Sequence, residues 1–222
     1  LFALSGAYGT SFVVFDLTQS LPLILAVDEI SVVFSLAAMV IILSAGFFSF
    51  EYMKHETKEK RYYGFYLIVF GILNALCFAG SLITFYLFFE MLTLTSMPLV
   101  LHSGRHEAII AGLKYLLYSL CGAYMALFGI YFVYKNSDTL RFTAGGVLTG
   151  TVEAQSGILL IAAMTMIIGF GVKAGMFPMH AWLPAAHPVA PAPASAVLSA
   201  IIVKAGVLGI IRVVYYIFGA SF

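Results

Sequence analysis

Apolar positions fill this chain in blocks of about twenty residues, separated by short polar segments, and that length matches what a helix needs to cross about 30 Å of hydrocarbon. The blocks predict helices over residues 28 to 50, 62 to 79, 82 to 101, 108 to 134, 157 to 177 and 193 to 218. Residues 1 to 14 read as the tail of an earlier helix, and 15 to 27 as an exposed connector, partly extended. Asp28 and Glu29 open the first full helix with acids at its positive end, Asp28 as its N-cap. Polar loops at 51 to 61 and 102 to 107 and a longer connector at 135 to 156 punctuate the rest. No ten-residue alternation of a membrane β-barrel is present, so the expected fold is all-α, a polytopic transmembrane bundle.

Four ionisable residues, Glu90, Lys114, Lys173 and Lys204, sit inside apolar sequence on four consecutive helices. A charge inside a bilayer costs a few to more than ten kcal/mol, so such groups face a protein interior or a water-filled path. Three lysines and one acid cannot all be neutralised in pairs, and burial disfavours the charged form of an amine, which suits a group that loads and releases protons. Tyr86 and Thr93 share the face of Glu90, at i−4 and i+3. Lys114 lies near a helix end and is the one best placed to reach water. Gly169, Gly171, Gly175 and Pro178 surround Lys173, which predicts a broken helix there. These residues point to a proton relay of Glu90, Lys173, Lys204 and Lys114, with His180 as a candidate for proton uptake at the mouth.

The 222 residues are 62% hydrophobic and 9% charged with a net charge of +1, which marks an integral membrane protein and gives nucleic-acid binding no support. Cys77 and Cys121 lie in apolar runs without metal-ligand spacing and read as packing residues. His102, His106 and Glu107 read as a solvated loop, Trp182 as an interfacial anchor, and Asn74 as a hydrogen-bonding group between helices. No phosphate loop, nucleophile elbow, haem, iron–sulfur or zinc ligand set is present, so no catalytic residue, metal or cofactor is expected. Lys54, Lys58, Lys60, Arg61 and Arg105 fall on one side and place the 51 to 61 loop in the cytoplasm. With Leu1 opening inside an apolar run, residues 1 to 27 read as a helix end and connector and 28 to 222 as a transmembrane proton-channel module, an internal part of a longer protein.

The segments VKAGMFPMHAWLPAAHPVAPAPAS and VLSAIIVKAGVLGIIR, with FYLFFEMLTLTSMPL and the DEIS at 28 to 31, resemble the antiporter-like subunits shared by respiratory complex I, membrane-bound hydrogenases and Mrp-type cation/proton antiporters. The resemblance covers residues 28 to 217, and the HPVAPAPAS wording is nearest to Mrp D-type and hydrogenase-linked members. It implies the first half of an inverted-repeat antiporter-like fold, with the second repeat missing. It also implies that Glu90 and Lys173 are a coupling ion pair, Lys204 a central relay lysine and Lys114 a further helix lysine. Glu29 and Ala185 depart from the glycine and aspartate usual in that family. The resemblance implies proton translocation within an energy-converting complex of a bacterial or archaeal cytoplasmic membrane, beside other membrane subunits. A sodium/proton antiporter component is the alternative, and a structural scaffold for an oxidoreductase a third.

Overall fold

The computed structural model describes the backbone of residues 9–18, 21–148 and 152–219. Two strands, β1 (Ser11–Thr18) and β2 (Leu21–Ala26), precede α1 (Glu29–Tyr52), α2 (Glu59–Cys77), α3 (Leu82–Val100), α4 (His106–Asn136) and α5 (Val152–Ala174). Two short helices follow, α6 (Leu183–Ala186) and α7 (Ala192–Val197), and then α8 (Val203–Arg212). Widened π turns at Leu198–Ile202 and Val213–Phe218 flank α8.

Among the described residues five segments are long and apolar enough to cross a membrane: Glu29–His55, Leu82–Val100, His106–Asn136, Gly157–Ala174 and Ala192–Phe218. Expected as a sixth, α2 is 19 residues long but opens with Glu59, Lys60 and Arg61, which lowers its apolar content; it packs between α1 and α3. Asp28 caps α1 by accepting from Ser31 N at 2.8 Å.

The amino-terminal expectation is corrected by the hairpin. Residues 11 to 14 belong to an antiparallel β1–β2 pair, with Ser11 opposite Ala26, instead of a helix end, while residues 1 to 8 lie outside the described part. The run of Phe12, Val13, Val14 and Phe15 is β-branched and aromatic, which favours a strand over a helix. A second docking edge holds β2: Ala26 N donates to Phe78 O at 2.7 Å and Gly80 N to Ile24 O at 2.8 Å. Gly80 permits this approach, because a Cβ there would stand 2.9 Å from side-chain carbons of Ala26 and Ile24.

Around the hairpin gather the α2–α3 turn, the 137 to 147 connector and the end of the last helix, through Leu82 N to Leu140 O at 2.9 Å and Val147 N to Ile217 O at 2.9 Å. The opposite end gathers the loops after α1, α3 and α6, where Tyr52, Glu56, Ser103, Arg105 and Pro188 line one cavity.

Inside the bundle α5 packs against both α4 and α8. Small residues set the spacing, as expected where helices associate by close backbone approach in lipid. A Cβ on Gly169 would meet Gly122 O at 2.4 Å, and one on Gly206 would meet Phe170 O at 2.5 Å. Asn74 joins α2 to α1 by accepting from Ser35 Oγ at 2.8 Å.

Candidate buried-lysine site

Lys173 sits in the last turn of α5, where the carbonyl end of the helix favours a cation. The helix runs unbroken through Gly169 and Gly171 and stops at Ala174. The expected interruption is therefore a helix end, and the glycines around it serve different purposes. Gly169 allows contact with α4, whereas Gly175 turns the chain at φ +78°. The Gly175 N–H donates to Val172 O at 3.2 Å and Met176 N–H to Gly171 O at 2.9 Å, which is a Schellman cap. Pro178 lies beyond the helix and breaks nothing.

The indole N–H of Trp182 also donates to Val172 O, at 2.9 Å. Trp182 is fully buried with its ring 4.9 Å from that of Tyr115, so it closes the end of α5 instead of anchoring at an interface.

Lys173 is only 1% exposed, and its Nζ donates to Thr93 Oγ1. The ammonium also lies 4.7 Å from the Phe89 ring and 5.6 Å from the Tyr115 ring, where aromatic faces attract a cation. Thr93 passes its own hydrogen to Phe89 O at 3.3 Å. One turn further along α3, Ser96 Oγ and Tyr115 OH share a hydrogen bond of 2.8 Å. Thr93, Ser96 and Tyr115 are all buried. Their hydroxyls form a polar interior of the kind a buried cation requires.

Glu90 stands one turn from Thr93 on α3, and its Oε1 is buried without a hydrogen-bond partner. Lys173 Nζ donates to Thr93 Oγ1 and makes no direct ion pair with Glu90, whose charge still acts on the lysine across the same interior. Lys204 and Lys114 are not brought into this interior. Lys204 is exposed, its Nζ donating to Ser199 O at 2.9 Å, and Lys114 lies on the exposed face of α4 while its neighbour Tyr115 points inward. His180 is exposed beside Phe177, with ring centroids 5.7 Å apart.

His102, expected in a solvated loop, is buried, with Nε2 within 2.8 Å of Thr57 O, and burial pushes its imidazole below the ordinary histidine range. Among the described residues no three His, Cys, Asp or Glu side chains gather to hold a metal.

Sequence reasoning missed Ser96 and Tyr115 and gave Trp182 the wrong place. Thr93 and Ser96 extend the Glu90 face at three-residue spacing, a signal that could have found the hydroxyls; the inward aim of Tyr115 had no counterpart in the sequence.

A helical bundle with membrane-length spans around a buried lysine defines a polytopic membrane protein with an internal charged site. Residues 79–221 match the family described as NADH:quinone oxidoreductase/Mrp antiporter, TM, and the chain belongs to that family. It is 32% identical over 193 residues to hydrogenase-4 component B of Escherichia coli (strain K12), covering 86% of this chain and 28% of that one. It is 28% identical over 197 residues to the D subunit of the Na(+)/H(+) antiporter of Bacillus subtilis (strain 168), covering 88% of this chain and 40% of the relative. The Mrp complex structure from Dietzia sp. DQ12-45-1b superposes with a TM-score of 0.78 at 20% identity, over 94% of this chain and 39% of that one. The chain thus spans less than half the length of these relatives.

Proposed function

We propose that the chain carries protons across a membrane as a subunit of an energy-converting complex, with Lys173 as the group that holds the transferred proton. The observation that carries this reading is a lysine 1% exposed whose Nζ has a neutral hydroxyl as its partner, beside an unpartnered Glu90 oxygen. A lysine held by a carboxylate in a fixed ion pair keeps its proton; one held by a hydroxyl can release it when a nearby charge changes. Glu90, one turn away, is the charge whose state sets how firmly the proton is held. From Lys173 the proton moves onward to Lys204 on α8, which packs on α5. Lys114 on the outer face of α4 extends the relay, and His180 takes up protons at the mouth. The loops after α1, α3 and α6 face the cytoplasm of a bacterial or archaeal membrane, and other membrane subunits supply the driving event.

Lys173→Met keeps length and apolar packing but removes the titrating amine, so the complex should assemble while proton translocation in vesicles falls at least tenfold, within the ~10²–10⁴ range of a lost proton-transfer group. Lys173→Arg keeps the charge but holds its proton at any accessible pH, so it should fail as well. Near-normal pumping by the arginine variant would overturn the relay and support the scaffold reading.

The Na(+)/H(+) antiporter relative favours a second reading, exchange of sodium for protons through the same lysine. Sodium wants several oxygen ligands, and around Lys173 the carboxylate of Glu90 is the single anionic one among the described residues. Sodium-dependent proton flux in vesicles, abolished by Glu90→Gln, would establish that reading.

A further inference from the structure

Between the last half of α1 and the first half of α2 an apolar groove of about 450 Å³ opens on the exposed side of the bundle, within the ~300–1,000 Å³ range of ligand pockets. Leu43, Gly46, Phe47 and Phe50 line it from α1, and Tyr63 and Leu67 from α2. Phe47 is 72% and Leu67 66% exposed, so this chain leaves the rim uncovered. The floor offers an occupant no free hydroxyl, because both are turned into the protein: Tyr66 OH donates to Ile42 O at 2.6 Å, and Ser49 Oγ donates to Tyr63 OH at 3.4 Å. Gly46 keeps the hollow open. A Cβ there would lie 3.6 Å from the Tyr66 hydroxyl oxygen, an ordinary contact, so the packing of α1 on α2 does not itself require a glycine.

Charge stands at one end of this groove. The 3₁₀ turn Met53–His55 continues α1 and carries Lys54 four residues beyond Phe50, one turn further on the same side. On α2, Lys60 precedes Tyr63 by three residues and Leu67 by seven, which places it on their face. Each wall therefore ends in a lysine. Arg61 is committed elsewhere, donating to His102 O at 2.6 Å. Lys54 pairs with Glu51 at 2.7 Å, but both side chains are mostly exposed, and a pair of that kind is weak enough to exchange its anion. Glu59, the acid next to Lys60, is turned about 100° away around the helix. We propose that this groove binds an acyl chain of an anionic phospholipid, whose headgroup phosphate is held between Lys54 and Lys60. Lysines that stand where the hydrocarbon ends attract anionic headgroups, and the groove below them has no polar group to satisfy. A helix of another subunit would have to bring its own acid to the two lysines, whereas a phospholipid carries chain and anion in one molecule. The site shares no residue with the interior around Lys173, so its test is independent of proton transport.

The test counts lipids retained by the full chain in detergent, by native mass spectrometry, after addition of phosphatidylglycerol or phosphatidylcholine. The expected result is one phosphatidylglycerol held about tenfold more tightly than phosphatidylcholine, with Lys54→Gln and Lys60→Gln each weakening phosphatidylglycerol by about fivefold. Phosphatidylcholine should change by less than about twofold in both lysine variants, because its headgroup carries no net charge. Gly46→Leu fills the hollow and should weaken both lipids by about tenfold or more, since each methylene kept out of the groove costs about fourfold. Thermal unfolding shows whether each variant is folded; if Gly46→Leu is not, the surface lysine variants decide the matter alone. Equal retention of the two lipids by the parent chain, or phosphatidylglycerol binding that neither lysine variant weakens, would overturn the proposal. So would binding that a folded Gly46→Leu variant leaves intact. In the assembled complex, Leu43→Cys carrying a photoreactive maleimide should crosslink to lipid; crosslinking to another subunit instead would show a protein segment in the groove and overturn the assignment.

Discussion

Lys173 owes its place to Thr93, and the cost of losing that one hydroxyl can be stated. Thr93→Val keeps the branched shape but leaves a buried ammonium without its hydrogen-bond partner. A hydrogen bond to a charged group is worth about 1.5–3 kcal/mol, so the variant should be destabilised by that amount or hold Lys173 neutral. Either outcome lowers proton translocation, and Thr93→Ser should restore it; thermal unfolding and vesicle transport on the same preparations would check both. The four ionisable residues were legible in the sequence because charge in an apolar run is rare. Which of them faces inward was not legible. Lys114 and Tyr115 are adjacent, and the roughly 100° step between neighbours on a helix sends one out and the other in. A pattern without tertiary contacts leaves that choice open.

Element boundaries were the most readable feature, since α1, α3, α4 and the last helix begin and end within about two residues of the apolar blocks, the usual scatter of helix ends. The hairpin was legible only as the partly extended 15 to 27; residues 11 to 14 escaped the pattern because a short apolar run carries no period that separates strand from helix end. The glycines around Lys173 are ambiguous in sequence because glycine marks both helix breaks and close helix contacts. Gly169 can be tested for the second role. A Cβ at that position would lie 2.4 Å from Gly122 O and 2.6 Å from Ala126 N, backbone atoms that can move only if α4 and α5 separate. Gly169→Ala should therefore destabilise by about 1–3 kcal/mol, as overpacking does. Gly64 in α2 has nothing within 4 Å of the point where a methyl group would stand, and Gly64→Ala should be neutral or stabilise by up to about 1 kcal/mol. Equal gains at both sites, measured by thermal unfolding in detergent, would show that helix propensity and not close packing sets the outcome.

Across the whole molecule, the start of α1 and the end of α8 are tied by an ion pair that spans 184 residues of chain. Arg212 is 1% exposed; its guanidinium donates through both terminal nitrogens to Asp28, and Nη2 also to Ser31 Oγ at 3.1 Å. The rings of Phe142 and Tyr216 lie 4.9 Å and 4.6 Å from Cζ, so the 137 to 147 connector and the last turn close over the cation. Asp28 thus both caps α1 and neutralises a charge delivered from the far end of the sequence. The cap was readable from Asp28 and Ser31; the partner was not, because no local pattern links positions so far apart. Asp28→Asn keeps the shape and a hydrogen-bonding oxygen but leaves the buried guanidinium uncompensated, which should cost about 3–5 kcal/mol. Arg212→Met removes the cation and leaves Asp28 partly exposed, so its cost should be smaller. In the double variant neither charge is stranded, and the loss should fall clearly short of the sum of the two single losses, by the ~0.5–3 kcal/mol expected of coupled neighbours. Thermal unfolding of the four proteins measures this cycle; strict additivity would mean that the pair does not hold the two ends of the bundle together.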